Sequence, residues 1–285
     1  MKQPKKSLGM KASHRLTVAV KLVFFTFCSL VVMIPFLYLL SSAFKPGAEM
    51  NTWPPGFIPK TFTLGNYKTL FDTAPFGRFF LNSLGMASIS AVGILLTSTL
   101  SGYVFGKFKF KLNNFLFGLV FSTSIIPFEI YMVPLYIEMV KYKLNNTFIG
   151  LVLPYLVMSF GIFFMRQMVI QQVPDELIEA ARIDGCHEYG IFFKIVLPLL
   201  RSGIAALGIL AFVEGWNAFV WPLIMVSDNQ LFTMEIGLAL FQTTFNVDLG
   251  AVAAGSLFSI APILLVFLIF RRQIMESIAL TGIKG

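Results

Sequence analysis

The chain is poor in charge. Only 13% of its 285 residues are Asp, Glu, Lys or Arg, while 56% are hydrophobic. Water-soluble domains average roughly 25% charged residues, so the composition implies lipid as the solvent. Cysteine is almost absent. Cys28 lies in an apolar run and Cys186 in a charged stretch, so no disulfide is expected and neither thiol has a redox partner. Histidine is equally scarce, with His14 in a basic tail and His187 in the charged stretch. His187-Glu188 begins an H-E-x-x-H pattern, but the fifth residue is Ile191, which leaves a zinc hydrolase without its second imidazole. A Ser or Cys hydrolase likewise finds no histidine base inside an apolar segment. Nor is there a G-x-x-x-x-G-K-[ST] loop. Gly106-Lys107 is preceded five residues earlier by Ser101 and followed by Phe108, so no nucleotide site is expected in this chain.

What is present is a series of apolar runs of about 20 residues, the length a membrane helix needs. Six are found, at roughly 17–40, 82–105, 115–138, 147–169, 201–226 and 250–271. The opening "MKQPKKSLGMKASHR" looks like the basic region of a signal peptide, but the run after it exceeds the 7–15 residues of a signal core, so an uncleaved first helix is expected. A net charge of +8 suits nucleic acid or basic loops on one side of a membrane, and the apolar runs favour the second. With the N-terminus inside, fifteen Lys and Arg fall on inner segments and six on outer ones, and six spans return the C-terminus to the inside. The expectation is therefore an all-α membrane protein with six transmembrane helices and both termini cytoplasmic. It forms one domain over 1–285, with its core at about 80–275, a basic tail at 1–16 and a second tail at 272–285.

The charge that does occur is concentrated at 174–200, "PDELIEAARIDGCHEYGIFFKIVLPLL", between the fourth and fifth runs. Pro174 suits the first position of a short helix over 174–184, with Asp175 and Glu176 favoured by the dipole in its first turn. Gly185 suits a left-handed stop, 186–196 a second short helix, and Pro198 a break before the fifth run. Ala180 and Ala181 leave part of the first helix almost flat, as suits a knob that enters a partner's groove. Leu177, Ile178 and Ile183 would also allow a helix lying on the membrane surface, but such helices are usually basic and this one is rich in carboxylates.

Glu179-Ala180-Ala181, three residues, Gly185, nine residues, Ile195, one residue, Leu197-Pro198: this spacing resembles the EAA signature of the integral-membrane permease subunits of binding-protein-dependent ABC importers. "LGNYKTLF" (64–71), "NSL" (82–84), "GWNAFVWPLIM" (215–225) and the ending "ALTGIKG" (279–285) are similar to the carbohydrate branch, and within it to the maltose-type second permease. Glu214 departs from that pattern, where less charge is expected. The resemblance implies a coupling helix docked in a cleft of a cytoplasmic ATPase. Glu179 would pair with a base there, Ala180 and Ala181 would permit close approach, Gly185 would set the bend, and Ile195, Leu197 and Pro198 would complete the motif. An exposed ion pair is worth only about 0–1 kcal/mol, so packing around Ala180, Ala181 and Ile183 would carry the docking. The tail Gly282-Ile283-Lys284-Gly285 resembles one that enters the ATPase dimer interface. The resemblance further implies two ATPase subunits holding ATP and Mg, a second and different permease, an extracytoplasmic sugar-binding protein, and a bacterial or archaeal plasma membrane. It implies no cofactor in this chain and no nucleic acid.

Two carboxylates, Glu129 and Glu214, lie within expected spans, where an acidic group costs roughly 2.5–3.5 kcal/mol unless it faces the bundle or water. Glu214 with Trp216 and Asn217, and Glu129 with Tyr131 on a span bent by Pro127 and Pro134, are candidates for a translocation pathway. Structural roles between helices are the alternative, and a proton-coupled carrier built on the two carboxylates is the rival mechanism. An importer for another polar solute is a further alternative. Gly102 and Gly106 form a G-x-x-x-G that suits helix packing. The outer loop at 227–249, with Asp228, Glu235 and Asp248, suits either a contact with the binding protein or a solvated loop.

Overall fold

The computed structural model describes residues 8–50, 52–54, 56–243 and 248–282, and no strand occurs among them. In chain order the helices are α1 Leu8–Ala43, α2 Gly47–Met50, α3 Gly65–Thr73, α4 Phe76–Lys107 and α5 Asn113–Ser122. Then follow α6 Phe128–Lys141, α7 Phe148–Val152, α8 Ser159–Gln172, α9 Asp175–Ile183 and α10 Glu188–Ile191. The last are α11 Leu197–Leu199, α12 Arg201–Trp216, α13 Val220–Met225, α14 Met234–Thr243 and α15 Leu249–Gly282. Three stretches are single helices long and apolar enough to cross a membrane: Thr17–Ala43, Phe76–Lys107 and Leu249–Arg271. Three more are bent pairs: Asn113–Ile125 with Phe128–Lys141 (98°), Phe148–Tyr155 with Ser159–Gln172 (44°), and Glu188–Leu199 with Arg201–Trp216 (80°). Counting each pair as one span gives six.

The breaks have identifiable causes. A proline lacks an N–H, clashes with the carbonyl four residues back, and drives the residue before it out of the helical region. Ile126, ahead of Pro127, is extended (ψ 116°), and the chain turns there. Pro154 deprives the Gly150 carbonyl of its helical donor, and Trp221 Nε1 supplies the replacement at 3.0 Å. The fifth apolar run does not continue as one helix to 226 as expected. It stops at Trp216 and resumes at Val220, because Pro222 cannot donate to the Ala218 carbonyl. Pro134 sits inside α6 without breaking it.

α4 is the central post, packed along α8 and α12, while α12 leans on α15 and α15 on α1 and α3. In lipid no hydrophobic force drives helices together, so close packing of small residues must do it. The buried face of α4 carries Ser83, Ala87, Ser90, Ile94, Ser98 and Gly102, one helical turn apart. A Cβ on Gly102 would stand 2.8 Å from the Arg166 backbone nitrogen, and one on Gly106 would stand 2.9 Å from Val169 Cγ1. The G-x-x-x-G is therefore the seat of α8. α1 is the opposite case: the most apolar window of Thr17–Ala43 is left uncovered by the rest of the chain. Its C-terminal end is held by Asn66, whose Nδ2 donates to the carbonyls of Ala43 (3.0 Å) and Lys45 (2.8 Å).

Candidate functional site

A cleft of about 490 Å³ opens where three breaks converge, between α5 and α6, between α7 and α8, and between α12 and α13. Glu129, Tyr131 and Glu214 line it together with Tyr155 and Trp221, which the sequence did not single out. Across its wall the Thr123 and Ser159 hydroxyls meet at 2.6 Å. Phe128 sits edge-on to Trp221, with ring centroids 5.9 Å apart. No Lys, Arg or His is among the lining residues. Unwound backbone at the ends of discontinuous helices, with hydroxyls and aromatic rings, is the form membrane transport sites take.

Two candidates are placed elsewhere. Trp216 is fully buried. Its ring stacks on Phe212 (5.9 Å), meets Phe80 edge-on (5.6 Å), and donates from Nε1 to Ser259 Oγ at 3.3 Å. Asn217 is exposed at the end of α12, where its N–H bonds the Val213 carbonyl at 3.0 Å, and it is not among the cleft's lining residues.

The charged stretch is a helical hairpin. Gly185 is left-handed (φ 78°) and closes α9. Its N–H bonds the Arg182 carbonyl (3.0 Å), and the Cys186 N–H bonds the Ala181 carbonyl (2.9 Å), which is the two-bond Schellman arrangement. Pro174 lies one place before the helix rather than in its first turn, leaving Asp175 and Glu176 to open α9. Glu179, Ala180 and Ile183 point outward, and Ile183 is 86% exposed. Ala181 does not share that face. It is buried with Ile178 against the core, because a flat helix must turn some residue toward α4 and α8, so packing at a partner falls to Ala180 and Ile183. The second arm runs past 196 to Leu199 through a π turn over Phe192–Val196, since Pro198 cannot donate to Lys194. Ile195 and Leu197 pack on the core from this arm, and Pro198 is exposed.

One ion pair and one hydrogen bond fasten the hairpin to α4. Lys107 Nζ holds Asp175 Oδ1 at 2.5 Å, and that ammonium keeps the Asp175 carboxyl below the ordinary range. Arg182 Nε donates to Glu188 Oε1 at 2.7 Å, which raises the guanidinium further, while Tyr103 Oη donates to Glu188 Oε2 at 3.0 Å. The sequence named Lys107 and Glu188 only in motifs that fail and gave no sign that Tyr103, Lys107 and the hairpin meet, since only the fold brings 103, 107 and 188 together. After α13, Asp228 accepts from Gln230 N (2.9 Å), and just before α15 Asp248 accepts from Gly250 N and Ala251 N (3.0 Å each), so both cap helices. Glu235 lies in the first turn of α14 rather than in a loop. Of the tail, Gly282 ends α15, while Ile283, Lys284 and Gly285 lie outside the described residues.

A bundle of membrane-length helices, broken around a polar cleft and carrying a charged hairpin, defines a membrane transport permease. The family model described as "Binding-protein-dependent transport system inner membrane component" matches residues 98–274, and the chain belongs to that family. It is similar to the arabinooligosaccharides transport system permease protein AraQ of Halalkalibacterium halodurans, at 39% identity over 92% of this chain and 94% of that one. The sn-glycerol-3-phosphate transport system permease protein UgpE of Pectobacterium atrosepticum is 33% identical over 87% of this chain and 91% of its own length. The fold matches a chain in the crystal structure of a bacterial ABC transporter involved in the import of the acidic polysaccharide alginate. That match has a TM-score of 0.81 at 19% identity and covers 95% of this chain and 99% of that chain.

Proposed function

We propose that the chain is one of two permease subunits of an ATP-driven ABC importer that moves a sugar or oligosaccharide from an extracytoplasmic binding protein into the cell. The observation that carries this reading is the 39% identity, along nearly the whole chain, to a permease named for arabinooligosaccharides. In this reading the three helices and three bent pairs are six spans of a single domain. Both termini and the α9–α10 hairpin are cytoplasmic, and the membrane is a bacterial or archaeal plasma membrane. ATP and Mg belong to two separate ATPase subunits, and closure of those subunits rocks the helices between outward-open and inward-open states. A different, second permease covers this one: Glu129 and Glu214 are exposed on the isolated chain, and carboxylates facing lipid at mid-membrane would be costly. Glu179, Ala180, Ile183 and Gly185 form the docking face, and the tail Gly282–Gly285 adds a second ATPase contact.

Gly185→Asp tests the docking. No atom lies within 4 Å of a Cβ built there, so the new side chain meets no steric clash, but at φ 78° it strains the bend that presents the docking face as well as projecting toward whatever covers the hairpin. Tagged wild type, extracted gently, is expected to bring down a second permease and an ATPase, whereas Gly185→Asp brings down the permease alone. A wild-type chain that emerges by itself would defeat the reading and favour a proton-coupled pathway through Glu129 and Glu214.

A further inference from the structure

We propose that Glu188 is the positioning residue through which movement of the hairpin reaches the membrane helices; this rests on the docking reading above. The Glu188 carboxylate is bonded on both sides, to Arg182 Nε of α9 at 2.7 Å and to Tyr103 Oη of α4 at 3.0 Å. Tyr103 is 4% exposed, and its ring is held between Phe108 (5.4 Å) and Phe192 (5.5 Å), so its hydroxyl is a fixed point on α4. One helical turn further along α4, Lys107 grips Asp175 at the opposite end of α9. The short helix is thus fastened near both ends to consecutive turns of one long helix. Two attachments transmit rotation as well as displacement, which a single pivot does not.

α9 also rests on α4 and its neighbours through Ile178 and Ala181, but apolar contacts let a helix rock and slide. Charge-assisted hydrogen bonds to a buried phenol are directional. α4 then carries the movement onward. It packs along α8 and α12, both of which end at the breaks around the cleft, and its own Ile94 lines the cleft wall. Glu188 spends its carboxylate on Tyr103 and Arg182, whereas Ala180 and the 86% exposed Ile183 make no such contact and are left for a partner, so its function is separable from partner binding.

The test is uptake per ATP hydrolysed by the whole transporter in sealed vesicles, for Glu188→Ala, Tyr103→Phe and the exchange Arg182→Glu with Glu188→Arg. The ATPase is expected to co-purify with every variant. Uptake per ATP should fall about tenfold in Glu188→Ala, about threefold in Tyr103→Phe, which deletes one oxygen from an otherwise unchanged ring, and recover toward wild type in the exchange. Wild-type ratios in both single variants would overturn the proposal. Loss of the ATPase from Glu188→Ala would also overturn it, by making Glu188 a docking residue. An ATPase missing from the wild type would instead refute the docking reading beneath it.

Discussion

Two glycines show how sharply this bundle distinguishes positions of identical chemistry. Gly102 faces α8, where an added Cβ would meet the Arg166 backbone nitrogen and Met165 Cβ, each at 2.8 Å. Backbone cannot yield as a side chain can, so Gly102→Ala is expected to cost about 1–3 kcal/mol and lower the melting temperature in detergent by several degrees. Gly118, inside α5, has no atom within 4 Å of that position, and Gly118→Ala should be neutral or add roughly 0.5–1 kcal/mol from helix propensity. Equal melting temperatures for the two variants would refute the tight α4–α8 seam. The Lys107–Asp175 pair makes a second prediction at this scale. The Asp175 carboxyl is held low in the fold, so the pair is intact at neutral pH. Its contribution disappears only as pH falls through that lowered value, beneath the ordinary Asp pKa of about 3.9. Proteolysis of the hairpin should therefore be flat from pH 8 to 5 in the wild type. Lys107→Met should be cleaved faster across that whole range, and equal rates would show that the pair holds nothing.

At the scale of elements, the breaks are maintained by substitutes for the hydrogen bonds that proline removes. Trp221 Nε1 takes the Gly150 carbonyl that Pro154 leaves free. Trp221→Phe is expected to cost about 1–3 kcal/mol for that unpaired carbonyl, in addition to lost ring packing. Pro154→Ala returns an N–H to the helix, so Trp221→Phe should be markedly milder in that background. Additive effects in a double-mutant cycle, read by thermal unfolding, would deny the exchange. The prolines were visible in the sequence, but their consequences were not: Pro134 lies within an unbroken helix, whereas Pro127, Pro154 and Pro222 mark turns. Hydropathy reports whether a run is apolar, not whether its freed carbonyls find other donors, so the fifth run read as one helix when it is two. The hairpin was more legible, since Gly185 and the alanines carry their geometry locally. Which alanine faces inward depends on α4, seventy residues earlier, and no local pattern encodes it.

For the whole molecule, the side of the membrane on which the hairpin lies is a matter of parity. Before the hairpin the chain holds two single spanning helices and two bent pairs, and each pair either crosses the membrane or turns back within it. If both pairs cross, or neither does, the hairpin lies on the same side as the N-terminus; if only one crosses, it lies opposite. The chain's own two cysteines make this measurable, since Cys186 is exposed at the hairpin tip while Cys28 sits within the apolar run of α1. A membrane-impermeant maleimide should leave Cys186 unmodified in intact cells and label it in inside-out vesicles stripped of peripheral proteins, with Cys28→Ser confirming the site. Labelling in vesicles that retain their peripheral subunits should be slower, because a docked ATPase would cover Ile183 and Gly185 beside that thiol. Labelling of Cys186 from outside the cell would place the hairpin beyond reach of any ATPase and would overturn the six-span topology together with the docking built on it.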